Sequence, residues 1–500
     1  MSNIFKSEKF QKSLFFRNKD ILILALPIFF ELILGLIIGY VDSFQMSYDQ
    51  DAVSAILQTN QITMVVNVSF QVLTTASVIL ISQLNGKKDL EASKKVFVIS
   101  FYTCLLISLI FSAILFFCAE PLYTAIGVRD LDNGEVVMEK AIAYMQYTGS
   151  WVFLQGLITT FSAFLRANKK MVMPTAVSLI MNILNVGGNA IGIYLITHQE
   201  TTGTAGIISV ALSSSISRIV GLIVIVIMYI KYVHVSLSLF NVFKKGNLKF
   251  FSKILSVGLP SAGETLSYNV AQLVILIIIN KTFFDNQISG NIRGYFSSVT
   301  SVIYLFASGL SQAMQIVEGN LIGANEKDKA EILMKDSVKM ACIVSFIMSV
   351  IMLAISYPIF SYLLRENIKA GDTATIYKTQ LAIPVCCLIM MSINIVLEQG
   401  RARNLILVKG LQTTGDIFVP VLSAIVSCWL FAVFGTYLFG SVLKLGVIGV
   451  VIANTLDENF RGIIFQIRLK SGVWKKKDLT KNLSNKNMVP LEEVEPLNNQ

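Results

Sequence analysis

Apolar and polar positions alternate along this chain in long blocks, not at the spacing of a soluble core. Apolar runs recur over approximately 21–41, 53–84, 96–118, 140–165, 172–196, 204–230, 253–280, 292–322, 337–363, 376–398, 416–439 and 445–468. Each reaches the ~18–20 residues that a helix needs to cross a bilayer. The pattern predicts an all-α polytopic membrane protein with twelve spans, since only helices and closed barrels satisfy their own backbone in lipid. The longest polar interval, 234–252, divides them into a bundle at 21–233 and a bundle at 253–470. Residues 1–20 read as a polar arm and 471–500 as a disordered tail, VPLEEVEPLNNQ at its end.

The two halves repeat one another. LALPIFFE around Pro27 matches VGLPSAGE around Pro260, with a glutamate four residues after each proline. NGKKDLEA at Asn85–Ala92 is similar to IGANEKDKA at Ile322–Ala330, and LRANKKMVMP at Leu165–Pro174 matches LQTTGDIFVP at Leu411–Pro420. GIISVALSSSISRIVG from Gly206 aligns with GVVIANTLDENFRGII from Gly449, which sets Arg218 opposite Arg461. Six spans per half predict a parallel repeat about an axis along the membrane normal, a transporter signature.

Composition agrees: 54% of residues are hydrophobic and 14% charged, against roughly 25% charged in soluble domains. The net charge of +10 does not indicate nucleic acid, because the bases gather in alternate loops. With the N-terminus inside, 31 Lys and Arg fall on that side and eight on the other, which predicts cytoplasmic termini in the cell membrane. The six cysteines follow no metal-ligand pattern and read as buried free thiols. His198 falls in an outward loop and His234 in the linker.

Charges inside the apolar runs carry the chemistry. Pro27, Glu31, Gly35, Gly39 and Asp42 share one face of the first span, and 11 residues separate the two carboxylates by about 16 Å. The alternative for these acids is structural pairing with a base, or for Asp42 an interfacial position. The second span lines up Asn60, Thr63, Asn67, Gln71 and Thr74, and the eighth Ser298, Ser301, Ser308, Gln312 and Gln315. Each series reads either as helix–helix hydrogen bonding or as the wall of a wet cavity. Arg218 and Arg461 read as snorkelling or paired, Asp457 and Glu458 being within reach of Arg461. Glu398 reads as interfacial at a span end, and Asp416 as the cap of the eleventh helix.

Taken in order, LALPIFFELILGLIIGYVDSF, NLILVKGLQTTGDIFVP at Asn404–Pro420 and ANTLDENFRGIIFQIRLKSGVW at Ala453–Trp474 resemble the multidrug and toxic compound extrusion (MATE) family. The resemblance covers most of residues 20–475. It implies an antiporter of two six-helix bundles that exports amphipathic, often cationic compounds against inward H⁺ or Na⁺, with no other cofactor. Asp42 falls on the family's coupling aspartate. Asn185 and Asn189 occupy positions where one proton-coupled branch has Asn and Asp, and Glu31 would compensate for the missing acid. Glu264 falls on a seventh-span glutamate, at a shorter distance from its proline than in other members. Asn67, Gln71, Tyr268 and Tyr295 complete a candidate substrate site, the tyrosines by cation–π contact or else as packing residues. The partners implied are the lipid bilayer and small organic cations, with a monomer sufficient.

No Walker A pattern and no convergent nucleophile, base or metal set is present, so neither an ATP-driven pump nor an enzyme is expected. A lipid-linked saccharide flippase of the same superfamily is the alternative, and an uncoupled channel a further one. The resemblance associates flippases with several basic residues in the cavity, where this sequence offers acids.

Overall fold

The computed structural model describes residues 14–130, 133–197, 204–233, 248–283, 286–369, 371–376, 379–481 and 483. His198, His234, most of the linker and arm, and the end of the tail lie outside them.

Helices follow the apolar blocks. They are α1 Lys19–Gln45, α2 Gln50–Gly86, α3 Leu90–Phe117, α4 Gly134–Gly149, α5 Val152–Ala167, α6 Val172–Thr197, α7 Ala205–Tyr232, α8 Leu248–Thr282, α9 Asn286–Gly323 and α10 Lys327–Leu363. A hairpin follows, β1 Thr373–Ile376 antiparallel to β2 Thr379–Ala382 with Thr373 opposite Ala382. The chain ends with α11 Ile383–Thr414, α12 Phe418–Ser427 and α13 Gly446–Lys470. Among the described residues, nine helical stretches are long and apolar enough to cross a membrane. Of the twelve expected spans, the fourth is broken and the eighth and twelfth carry too many polar residues to count by hydropathy alone. Exposed apolar side chains on the nine apolar stretches, such as Ile183, Ile191, Ile227 and Phe418, suit a hydrocarbon surround.

Local chemistry sets several boundaries. Asp49 caps α2 by accepting from the Ala52 N–H at 3.0 Å, and Asp89 caps α3 through Ala92 at 3.1 Å. Gly415, at φ +95°, ends α11 in the left-handed conformation that glycine adopts without strain.

Five expectations are corrected. The span expected at 140–165 is two helices that break at Ser150–Trp151, where the Phe153 N–H finds Ser112 Oγ at 3.0 Å. The span expected at 376–398 starts in the hairpin and runs on to Thr414 as α11, so Arg401, Arg403 and Lys409 are helical and not loop residues. Glu398 is therefore fully buried in mid-helix, not interfacial. Asp416 caps nothing; Ile417 is the residue before α12, and Asp416 instead holds Arg468 at 2.6 Å. Of the six free cysteines, four are buried, but Cys118 is exposed at the end of α3.

The chain divides into two compact units, one of residues 30–258 and one of residues 14–29 with 259–481. The divisions fall inside α1 and α8, within a turn of Pro27 and Pro260, where a backbone N–H is missing from the helical ladder. The core of the 30–258 unit gathers Phe70, Leu115, Tyr123, Tyr144 and Met145. In the other unit Ile275, Phe296, Phe360, Met391 and Val451 pack together. There α12 continues as π-helix over Cys428–Val433 and Thr436–Val442. Gly440 and Gly449 allow this stretch to meet α13 closely: a Cβ on Gly449 would stand 2.6 Å from the Gly440 nitrogen.

Candidate functional site

In the 30–258 unit, polar side chains from three helices converge on Asp42 of α1, which is 7% exposed. Its Oδ2 accepts from the Tyr144 hydroxyl at 2.6 Å and the Ser214 hydroxyl at 3.0 Å. Its Oδ1 accepts from Asn189 Nδ2 at 2.8 Å and Asn185 Nδ2 at 3.2 Å. Four donors match the lone-pair capacity of an ionised carboxylate. Tyr144 comes from α4, the asparagines stand one turn apart on α6, and Ser214 is on α7. Asn185 also donates to Ser214 at 2.8 Å, and Asn189 to Gln45 Oε1 at 2.8 Å. Gly188 lets α6 and α7 close up, since a Cβ there would lie 2.3 Å from Ser213 Oγ. Arg218 donates to the Thr148 carbonyl at 3.0 Å and acts electrostatically on Asp42 and Tyr144.

The side-chain carbonyl oxygens of Asn185 and Asn189 are buried without a hydrogen-bond partner among the described residues. The site thus holds one carboxylate and two idle neutral oxygens. Among the described residues no group of three or more His, Cys, Asp or Glu could hold a metal ion, so any cation here would rest on one acid and neutral oxygens.

Glu31 is on the same helix but not in this cluster. It forms an ion pair with Arg166 at the end of α5, with both side chains largely buried. Asn67 is half-buried and Gln71 exposed on α2, and neither is among Asp42's hydrogen-bond partners.

In the unit of 259–481, Glu264 accepts from Gln412 Nε2 at 3.3 Å, and Lys409 and Arg461 act on it electrostatically. With Ser267, Tyr268, Ile425, Cys428 and Arg461 it lines a cavity of about 140 Å³. Tyr295 is 41% exposed and does not line it. Beside Glu264 the charges neutralise one another. Arg461 pairs with Asp457 and, at 3.4 Å, with Glu458. Arg401 pairs with Glu398 at 2.6 Å and Glu458 at 3.2 Å and stands over the Tyr304 ring at 5.2 Å.

The MatE family profile matches residues 27–191 and 260–438, more than half of the chain. The chain belongs to the MatE family. This MatE transporter is 32% identical to the "Uncharacterized transporter YisQ" of Bacillus subtilis over 457 residues, 91% of this chain and 95% of that protein. It is 21% identical to the "Probable multidrug resistance protein NorM" of Thermotoga maritima, over 92% and 94% of the two chains. Two solved structures share its fold at TM-score 0.77 and 17% identity. One is a MATE protein in the bent conformation, matched over 91% of this chain and 96% of that one. The other is an outward-facing multidrug resistance MATE transporter, matched over 92% and 97%. Its fold is the twelve-span, two-bundle transporter fold of a multi-pass membrane protein, and proteins of this family are transporters, not enzymes.

Several site residues of the MatE chain escape a reading of sequence. Tyr144 and Ser214 are hydroxyls in apolar helices, a type that bonds its own backbone as often as a partner. The run Ser213–Ser214–Ser215 in α7 was the available signal. Arg166 reads as a loop base because only the fold shows that α5 carries it back to Glu31. Lys409 and Gln412 lie beyond residue 398, where the apolar pattern ends the tenth span, and only the helix that runs on to Thr414 brings them to Glu264.

Proposed function

We propose that this transporter is a secondary active antiporter of the cell membrane, with both termini cytoplasmic. As a monomer, it exports amphipathic cationic compounds in exchange for H⁺ or Na⁺ bound at Asp42. The observation that carries this reading is the buried Asp42 carboxylate among four donors and two idle amide oxygens.

The two carboxylate oxygens differ in what they can take. The donors on Oδ2 are hydroxyls, which can rotate and accept, so a proton on Oδ2 finds a partner in Tyr144 or Ser214. The donors on Oδ1 are amide nitrogens, which cannot accept. Turning either amide over would bring its idle oxygen toward Oδ1 and make an oxygen set suited to a hard cation. Each arrangement answers one ion and disfavours the other. Arg218, on the same helix as Ser214, offsets the negative charge that Asp42 regains when the ion departs.

Substrate is assigned to the cavity beside Glu264. Arg401 and Arg461 are covered by Glu398, Asp457 and Glu458, while among the described residues Glu264 has the Gln412 amide as hydrogen-bond partner and Lys409 as an electrostatic neighbour. Its carboxylate and the Tyr268 ring suit an organic cation. The NorM relative's name, a multidrug resistance protein, fits this class.

The test uses purified protein in liposomes loaded with a fluorescent organic cation. Dye movement driven by an imposed proton or sodium gradient, and lost in Asp42→Asn, supports the reading. Scrambling of a labelled lipid-linked sugar, with dye unmoved by either gradient, would replace it with the flippase.

A further inference from the structure

A second carboxyl answers to none of the chemistry above. Glu318 lies on α9, five residues before its end, and is fully buried. Both of its carboxyl oxygens lack a hydrogen-bond partner among the described residues. Gln315, one turn earlier on the same helix and 3% exposed, has an equally unpartnered amide nitrogen, and the buried Ser337 hydroxyl on α10 is also unpartnered. Glu318 Oε2 faces α11 at Gly410. A Cβ on Gly410 would stand 3.3 Å from that oxygen and 2.6 Å from Met334 Sδ of α10. Glycine is what leaves room for the carboxyl there.

Among the described residues no base forms an ion pair or hydrogen bond with it. On α10, Asp336 takes Arg17 at 2.5 Å, Lys335 takes Glu331 at 2.5 Å, and Glu331 and Asp328 hold Lys475. Lys327 donates to the Lys475 carbonyl, Lys329 pairs with Glu326, and Lys339 is exposed. On α11, Lys409 acts on Glu264, Arg401 on Glu398 and Glu458, and Arg403 on Cys342. On α13, Arg461 is held by Asp457 and Glu458, and Arg468 by Asp416. On α9 itself Arg293 donates to Gln272.

An ionised carboxylate without a partner is not tolerated in such surroundings; it neutralises by binding a proton. The two groups set against its Oε2, the Met334 thioether and Gly410, supply no oxygen ligand for a metal ion. We infer that Glu318 is a proton-binding site of this transporter distinct from Asp42: it holds H⁺ while α9, α10 and α11 are closed and releases it when water enters between them. The gain or loss of one proton by one carboxyl balances the step. The inference does not rest on which ion Asp42 carries.

The test is infrared spectroscopy of the purified full-length protein. The wild-type minus Glu318→Gln difference is expected to show the carbonyl stretch of a protonated acid at neutral pH. In the wild type that band should fade reversibly on alkaline titration while the helical circular dichroism is unchanged. A difference without a protonated-acid band at any pH would overturn the inference. So would a band that persists unchanged to the alkaline limit of folding, which would mark a permanently neutral structural acid. Glu318→Met, which makes no hydrogen-bond demands, serves if the glutamine variant does not accumulate, and the wild-type titration needs no variant.

Discussion

Replacing Asp42 by asparagine or by alanine separates the charge of the site from its packing. Asparagine keeps an oxygen for the Asn185 and Asn189 amides. Its new amide nitrogen faces the Tyr144 and Ser214 hydroxyls, which rotate to accept. The stability cost should stay near 1 kcal/mol. Alanine removes both acceptors. Asn185 keeps Ser214 and Asn189 keeps Gln45, but the two buried hydroxyls lose the acceptor that each had. At about 1–3 kcal/mol for each unsatisfied group, Asp42→Ala should cost about 2–6 kcal/mol. Thermal unfolding of the purified proteins in one detergent reads the difference: Asp42→Asn close to wild type and Asp42→Ala clearly lower. Equal unfolding temperatures for the two variants would refute the reasoning, because the hydroxyls would then not depend on Asp42.

Other outcomes follow from the same geometry. Glu31→Gln removes the carboxylate paired with the largely buried Arg166 and should cost about 3–5 kcal/mol, most of it recovered in the Glu31→Gln/Arg166→Gln double variant; a double variant no better than the single would dismiss the ion pair. Gly188→Ala drives a methyl into Ser213, whose hydroxyl bonds the Asn185 carbonyl at 3.0 Å, and should cost about 1–3 kcal/mol and slow export; wild-type stability and export together would count against close α6–α7 packing. Outside the spans, partial burial raises the Asp49 carboxyl, but Lys140 at 2.7 Å and the Ala52 N–H outweigh it and hold it below the usual carboxylate range. Its stabilising contribution is therefore complete above the unfolded carboxylate's range and is lost as pH falls through the depressed folded value. Asp49→Asn should flatten that acid limb of the unfolding curve, and an unchanged limb would assign it to other groups.

The twelve spans were legible because lipid permits few alternatives to a long apolar helix. What sequence could not show was where polar residues are tolerated inside helices. Arg401 and Lys409 look like a basic loop, yet α11 carries them through a buried interior where Glu398, Glu458 and Glu264 offset their charge. Asp42 stands out as a carboxylate in an apolar run, the family resemblance points to Asn185 and Asn189, and the fold brings the three within hydrogen-bond reach. Glu31 stood out on the same grounds, but a shared helix face did not put it in the same cluster, because Arg166 lies within its reach and Asp42 is about three turns away. Glu318 was passed over: it falls just beyond the polar series that ends at Gln315, and its burial depends on Gly410, 92 positions later in the chain.

Exchange requires that substrate and coupling ion oppose each other's binding. The most direct measurement adds an organic cation to the solubilised protein, in weakly buffered solution or after loading with radioactive sodium, and counts the ion released. The account predicts release of protons or of sodium by the wild type and none by Asp42→Asn that still unfolds like the wild type. Equal release by the Asp42→Asn protein, or substrate binding with neither ion released, would contradict it.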